Sequence, residues 1–328
     1  MKKILITGGA GFVGYFLARR LLEIGNVEIT ILDNLQRGRK DEELDSLLSK
    51  ENISFVNGDL TDKKTFERLG KNFNYIYHLA AVIGVRNVQE NPDRVLFVNA
   101  ISTLYLVEFC RVCEDLQKVF FSSTSEIYAG TLHHYDLPIP TPEDVNLTLL
   151  DVSSQRTSYM LSKMYGESIF FNYGQKYDIP FTIVRYHNVY GPRMGFMHIV
   201  PEMFVKITEN ETVDVASPSH TRAMCYIDDA VEMTILACES VNTNGEILNI
   251  GNQEQEISVR ELVFTISKVL QKQVEFNEIE DTPGSPSRRC PDISKIKNLT
   301  GFSPKVSLFD GISKTYIWYK SRLHTRHE

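Results

Sequence analysis

In the stretch Tyr159-Met160-Leu161-Ser162-Lys163 a phenol and an ammonium stand one helical turn apart, on one face of any helix formed there. A neighbouring ammonium stabilises a phenolate. The spacing therefore predicts a Tyr159 pKa below the usual value of about 10 and a base able to take a hydroxyl proton near neutral pH. Such pairs are common on helix surfaces, so position has to add weight. Ser122-Ser123-Thr124-Ser125-Glu126 follows the apolar run Val119-Phe120-Phe121. Hydroxyls and a carboxylate at the carboxyl end of a buried strand lie where α/β sheets bind their ligands. Thr124, Ser125, Glu126, Tyr159 and Lys163 are accordingly the candidate catalytic residues.

A second chemical signal opens the chain. Thr7-Gly8-Gly9-Ala10-Gly11-Phe12-Val13-Gly14 comes directly after a short apolar run and directly before a helical pattern. Glycines there permit a tight turn and let the backbone approach a pyrophosphate, which the N-terminus of the following helix also attracts. Asp33 ends the next apolar run, where this pattern expects a carboxylate for a ribose 2′-hydroxyl. An acid at that point repels a 2′-phosphate, so NAD is expected over NADP. Arg37 lies close behind and could receive such a phosphate, which keeps the preference short of absolute.

These residues need a scaffold. Ile4–Thr7, Glu28–Leu32, Ile53–Val56, Tyr75–Leu79 and Val119–Ser122 read as strands, with helices over Phe12–Ile24, Asp62–Leu69 and Asn91–Cys113. Alternation of this kind predicts right-handed βαβ crossovers and a Rossmann-type, doubly wound parallel sheet, an α/β fold. Helix Ser158–Tyr177 and strand Phe181–Arg185 follow. Beyond them the pattern loosens into a smaller lobe, with helices expected over Pro201–Thr208, Asp228–Ser240 and Val259–Leu270, a strand over Ile247–Ile250, and a loop over Thr282–Pro286. The expected division is a cofactor domain over 1–185, with a returning segment near 223–250, and a C-terminal substrate-binding lobe over 186–328.

Composition narrows the function classes. A formal net charge of −7 with only isolated basic pairs argues against a nucleic-acid partner. Hydrophobic and charged contents of 42% and 23% are ordinary for a globular chain. No apolar stretch approaches the roughly 20 residues that span a bilayer, and the apolar run after Lys2-Lys3 is too short for a signal peptide. A cytoplasmic protein without a membrane partner is expected. Cys110 and Cys113 make one CxxC without a second pair, which reads as structural thiols and not as a zinc or redox site. No metal site is expected. His133 and His134 fall in a proline-rich loop without acidic or cysteine partners, and read as solvent-facing or as part of a substrate lid.

Taken together, these motifs resemble the extended short-chain dehydrogenases/reductases of the nucleotide-sugar epimerase/dehydratase family. The resemblance runs along essentially the whole chain, through Asp33-Asn34-Leu35, Gly58-Asp59-Leu60, His78-Leu79-Ala80-Ala81, Tyr190-Gly191-Pro192-Arg193, Thr221-Arg222 before Tyr226-Ile227-Asp228-Asp229, and Arg289-Cys290-Pro291-Asp292-Ile293. It implies a tightly held NAD and a nucleotide-sugar substrate oxidised transiently at C4. Tyr159 would take the 4-hydroxyl proton, Lys163 would tune Tyr159 and hold the nicotinamide ribose, and Thr124 would hydrogen-bond the 4-oxygen. Gly8, Gly11, Phe12, Val13, Gly14, Asp33, Asn34, Asp59, Leu60, Ala80, Ala81 and Asn99 would line the cofactor, with Asp59 and Leu60 flanking its adenine. Asn188, Arg193, Arg222 and Arg289 match positions that face the substrate. A homodimer is expected through the YxxxK helix and its neighbour, with Leu104, Val107, Phe170 and Phe171 as candidate seam residues and core packing as their alternative role. A cofactor-binding scaffold without catalysis fits less well, since Thr124, Tyr159 and Lys163 are all present.

A 4-keto sugar has three fates: reduction from the other face, loss of the C6 hydroxyl after C5 deprotonation, or loss of carbon dioxide from a C6 carboxylate. Thr124-Ser125-Glu126 resembles both UDP-glucuronate decarboxylases and GDP-mannose 4,6-dehydratases. Gly191–Met194 and the Arg-x-Pro-Asp-Ile stretch lean towards the decarboxylases. Gly195–Pro201 is more similar to epimerases, as is Gly84-Val85-Arg86, where Arg86 could reach the sugar. The extra residue in Tyr128-Ala129-Gly130 alters the spacing before the loop over Thr131–Asn146, which is expected to cover the sugar. Decarboxylation is placed first, then 4,6-dehydration, then 4-epimerisation.

Overall fold

The computed structural model describes residues 1–280 and 286–323. The first half alternates strand and helix: β1 (Lys2–Thr7), α1 (Phe12–Ile24), β2 (Val27–Asp33), α2 (Glu42–Leu48), β3 (Ile53–Asn57), α3 (Lys63–Glu67), β4 (Tyr75–His78), α4 (Val85–Glu90), α5 (Pro92–Cys110) and β5 (Lys118–Thr124). A 3₁₀ turn (Ser125–Tyr128), α6 (Ala129–His134), α7 (Thr157–Tyr177) and β6 (Phe181–Tyr186) complete it. The second part holds β7 (Val189–Tyr190), α8 (Ile199–Glu209), β8 (Thr212–Ala216), β9 (Thr221–Ala223), β10 (Cys225–Tyr226), α9 (Ile227–Glu239) and β11 (Glu246–Ile250). It ends with β12 (Glu256–Ser258), α10 (Val259–Leu270), β13 (Glu275–Ile279), β14 (Arg288–Arg289), α11 (Ser294–Thr300) and α12 (Leu308–Tyr319).

Among the described residues the main sheet has seven strands in the order β3-β2-β1-β4-β5-β6-β11, every pair parallel. The order reverses direction between β1 and β4, so the carboxyl ends of these two strands flank a crevice. Strand side chains alternate between two apolar layers. Ile4, Ile6, Ile31, Tyr77 and Phe120 pack with α1 and α9 on one face. Leu5, Leu32, Ile76, Val119 and Phe121 pack with α5 and α7 on the other. Burial on both faces explains why these strands read as continuous apolar runs and not as alternating ones.

Several boundaries differ from expectation for local reasons. Pro92 starts α5 at its first turn and separates it from α4, a short helix not anticipated from the sequence. The helix expected over Asp62–Leu69 shortens to Lys63–Glu67, capped by the Asp62 carboxylate accepting from Lys64 N. The segment expected to be a loop from Thr131 begins as α6, at whose end His133 and His134 are exposed. Gly130 sits where any side chain would collide with the Thr148 carbonyl, which pins that helix against the loop. The loop expected at 282–286 lies outside the described residues except for Pro286. Val107 and Phe170, offered as seam residues, are wholly inside the core, whereas Leu104 and Phe171 are partly buried at its edge. Cys110 is also core, and burial pushes its thiol and that of Cys113 up, Cys113 to about 12. All five cysteines are free.

Candidate active site

The glycine loop leaves β1 at Gly8, whose φ of +73° is a left-handed conformation that glycine adopts without strain. A side chain at Gly14 would collide with the Gly8 carbonyl oxygen, so α1 can approach the loop closely only with glycine there. No side chain caps α1, and its first N–H groups remain available to an anion. Phe12 and Val13 form its first turn, both partly buried. Asp33 closes β2 with its carboxylate accepting from Leu35 N at 2.8 Å and Ala10 N at 3.1 Å. Burial raises the Asp33 pKa, and these two N–H bonds work against that rise. Asn34 donates to Asp59 at 3.4 Å. Burial works against ionisation of Asp59, but bonds from Thr61 and Asn34 prevail and hold its pKa below the ordinary value. Ala80 and Ala81 follow β4, and Ala80 N donates to Thr7 Oγ1 at 3.4 Å. This constellation of glycine turn, open helix terminus and acidic strand end fits a dinucleotide.

Two residues assigned to the cofactor are otherwise engaged. The Leu60 side chain is buried in the core. The Asn99 amide accepts from Val82 N at 2.8 Å and donates to Val82 O at 3.1 Å and Ser162 Oγ at 3.0 Å. It thereby ties the loop after β4 to α7, and its polar atoms are used within the protein.

Across the crevice, α7 brings Tyr159 close enough to Thr124 for that hydroxyl to favour the phenolate. Lys163, one turn on, is buried and donates to Ser122 O at 2.6 Å. The expected lowering of the Tyr159 pKa is not found in this state. Burial pushes it up to about 12, against the smaller downward pull of Thr124, while Glu126 adds to the rise and Arg37 opposes it. Burial also brings Lys163 down to about 7. The cause is shared: a low-dielectric floor disfavours both the phenolate and the ammonium.

Thr124 Oγ1 caps the 3₁₀ turn by accepting from Glu126 N at 3.2 Å, which aims Glu126 outward from the buried Ser125. Arg289 Nη1 donates to Glu126 Oε1 at 2.7 Å. The Arg289 guanidinium, with smaller help from the charges of Arg156 and Arg222, holds the Glu126 pKa below its ordinary value despite burial. Arg222 and Arg289 are register partners of β9 and β14, so two arginines far apart in sequence lie side by side. Arg222 is itself brought down to about 10 by burial and by Arg289.

Arg222 and Asn188 also line a cavity of about 300 Å³ with His198, Ser217 and Met224. Asn188 has a φ of 40°, and its buried Nδ2 has no hydrogen-bond partner in the protein. Two expected substrate contacts are not brought here. Arg86 is exposed on α4, its guanidinium engaged by Glu90 at 3.0 Å one turn away. Arg193 is buried against the Tyr15 ring at 4.1 Å and bound by Asp41 at 2.6 Å and Glu43 at 3.0 Å, so it fastens α2 to the turn after β7. His198, which lines this cavity, and Arg156, whose charge reaches Glu126, are not singled out by the sequence. No spacing signals them. Among the described residues no group of three or more His, Cys, Asp or Glu side chains could hold a metal ion, and no helix is long and apolar enough to cross a membrane.

Fold and site together define an NAD-dependent enzyme built on a doubly wound sheet. The NAD dependent epimerase/dehydratase family matches residues 4–251, and the chain belongs to that family. A UDP-N-acetyl-alpha-D-glucosaminuronate decarboxylase of Bacillus cytotoxicus is 32% identical over 97% of this chain and 98% of its own. A protein of Methanocaldococcus jannaschii named a putative UDP-glucose 4-epimerase is 31% identical, over 98% and 100%. The crystal structure of a UDP-glucuronic acid 4-epimerase from Bacillus cereus, in complex with UDP-glucuronic acid and NAD, superimposes with a TM-score of 0.85 at 28% identity, covering 98% of this chain and 99% of that one.

Proposed function

We propose that this enzyme decarboxylates a UDP-linked uronic acid through a transient 4-ketone. The observation that carries the reading is the Glu126–Arg289 pair, 2.7 Å apart, next to Thr124 and near Tyr159, whose phenol both Thr124 and Glu126 influence. NAD, when bound, supplies the hydride acceptor and donor for C4. Tyr159 takes the proton of the C4 hydroxyl, and Thr124 holds the same oxygen. Lys163 provides positive charge beneath the phenol as it ionises, which offsets the burial that keeps Tyr159 neutral at rest. A ketone at C4 makes a C6 carboxylate a β-keto acid, which loses carbon dioxide without a strong base at C5. Arg289 and Arg222 receive the substrate's anionic groups, while the ionised Glu126 disfavours retention of a charged carboxylate next to it.

Dehydration asks for a different Glu126. A base for the C5 proton works best with its pKa near the operating pH, whereas Arg289 pulls Glu126 the other way. Four-epimerisation stands second, supported by relatives of that name at comparable identity. The nucleotide is assigned to the cavity lined by Asn188, whose unpartnered amide offers a donor to a base or phosphate. A homodimer through α5 and α7 is part of the proposal.

Mass spectrometry after incubation with UDP-glucuronate and with UDP-N-acetylglucosaminuronate tests the reading. Loss of the mass of carbon dioxide from either is the expected result. An unchanged mass with C4 inverted by proton NMR overturns it in favour of epimerisation, and loss of water from a nucleotide-linked hexose in favour of dehydration.

A further inference from the structure

A second cavity, of about 280 Å³, opens where α1 meets the start of α9 and α12, and it shares no lining residue with the one at Asn188. Four rings wall it: Tyr15 and Phe16 of α1, Tyr226 at the end of β10, and Trp318 of α12. Cations stand against three of them, Arg193 over Tyr15 at 4.1 Å, Arg19 over Phe16 at 4.6 Å and Lys314 over Tyr226 at 5.4 Å. A guanidinium held against a ring face keeps its in-plane N–H groups free to donate. Arg193 is the most deeply placed of the three cations, its side chain 5% exposed.

Hydrogen-bond accounting in this lining is one-sided. The two carboxylates present are already served. Glu43 accepts from Arg193 Nη1 at 3.0 Å, from Trp318 Nε1 at 2.6 Å and from Arg322 Nη2 at 3.4 Å. Asp228 lies 3.5 Å from Arg19 Nη2. The donors are not all served. Arg193 Nε and Arg19 Nε are buried atoms without a hydrogen-bond partner, and Glu23, at 3.6 Å from Arg19 Nε, is beyond such reach. A buried N–H left unpaired is unfavourable, and an acceptor brought by a ligand relieves it. Charge points the same way, since Arg19, Arg193 and Lys314 face only Glu43 and Asp228 in the lining. A carboxylate carries the single negative charge that balances them, where a phosphate monoester carries nearly two. The rings ask for a flat apolar body behind that carboxylate.

We propose that this cavity is a second ligand site, outside the catalytic cleft, for a small carboxylic acid with a flat apolar body. Arg193 and Arg19 receive the carboxylate, Lys314 closes the rim, and the four rings hold the body. The site is independent of the reaction at Tyr159.

Trp318 is the one tryptophan of the chain and lines the cavity, so its fluorescence reads occupancy. The full-length protein is titrated with benzoate, with benzamide, which keeps the shape without the charge, and with acetate, which keeps the charge without the ring. Calorimetry repeats each titration without relying on the indole. The expected result is saturable binding of benzoate, tighter by about tenfold or more than that of either comparator, as a charge-assisted bond gives. Removing Arg193 would strand Asp41 and Glu43, so the variants are Arg19→Gln and Lys314→Gln, at side chains that reach solvent. Each is first shown to melt as the parent does. Arg19→Gln is expected to weaken benzoate about tenfold and Lys314→Gln by less, while Arg222→Gln, at the other cavity, leaves its affinity unchanged. No binding of benzoate by either method overturns the proposal. So does an affinity for benzoate no better than for benzamide or acetate, or a loss in Arg222→Gln equal to that in Arg19→Gln.

Discussion

Tyr159 and Lys163 are displaced in opposite senses by the same burial, the phenol up to about 12 and the ammonium down to about 7. This has a consequence for stability. Between about 7 and the ordinary 10.5, the unfolded chain holds the Lys163 proton more often than the folded one. Stability attributable to this position therefore rises with pH across that window, and the penalty is full below pH 7. Lys163→Met is expected to raise the melting temperature by a few degrees below pH 7, with the gain fading towards pH 10.5, while activity is lost. Melting curves across that range check the sign. For Tyr159→Phe the expected outcome is a drop in kcat of about 10²–10⁴-fold with NAD still bound, read from steady-state rates and the absorbance of the purified protein. Glu126 carries the same sign as Lys163, since its folded-state pKa is also depressed, but at lower pH. Its depressed pKa means that the contribution of its pair with Arg289 is present above 4.5 and is lost only as pH falls below that value.

Behind the site, the elements are joined by a buried polar network. Arg185 of β6 forms a two-point ion pair with Glu167 of α7, at 2.7 and 3.0 Å. Glu167 also accepts from Ser123 of β5 at 2.6 Å, and Arg185 donates to Tyr128 Oη at 2.8 Å. Tyr128 in turn donates to Asn249 of β11, which donates to Asp292 O beside the Arg289 strand. The network thus connects the helix carrying Tyr159 to the 3₁₀ turn carrying Glu126 and to the segment carrying Arg289. Both charges of the ion pair are almost fully buried, so removing one strands the other. Arg185→Met or Glu167→Gln is expected to cost about 3–5 kcal/mol in urea unfolding, with much of it recovered in an Arg185→Met/Glu167→Leu double variant. Equal losses in all three would argue against the pair. The YxxxK spacing points to the outer end of α7 but says nothing of Glu167, because its partner lies on another element.

At the scale of the molecule, α5 and α7 pack together and leave Leu96, Phe97 and Tyr165 exposed, Phe97 by 60%. Val107 and Phe170 do not serve a seam, since both are core. Phe97→Glu is expected to convert the proposed homodimer to a monomer by light scattering without unfolding it. An unchanged mass would remove α5 from the interface. The small sheet β12-β9-β14 is a second large-scale device. It aligns Arg222 with Arg289 and sets both against Glu126 across the cleft, joining segments from the two halves of the chain.

The βαβ order, the glycine loop, Asp33 and the Thr124, Tyr159 and Lys163 set were all legible in the residues. Each depends on local periodicity, turn chemistry or spacing within a single helix, and these act over a few residues. The ionisation of Tyr159 and Lys163 was not legible, because it depends on a low-dielectric floor assembled from β5 and α7. Nor were the roles of the arginines. Arg86 at the surface, Arg193 in a structural ion pair, Arg37 across the cleft and Arg289 on Glu126 share one side-chain chemistry. Which partners each of them meets is decided by the elements that folding brings within reach, and that is a property of the tertiary structure.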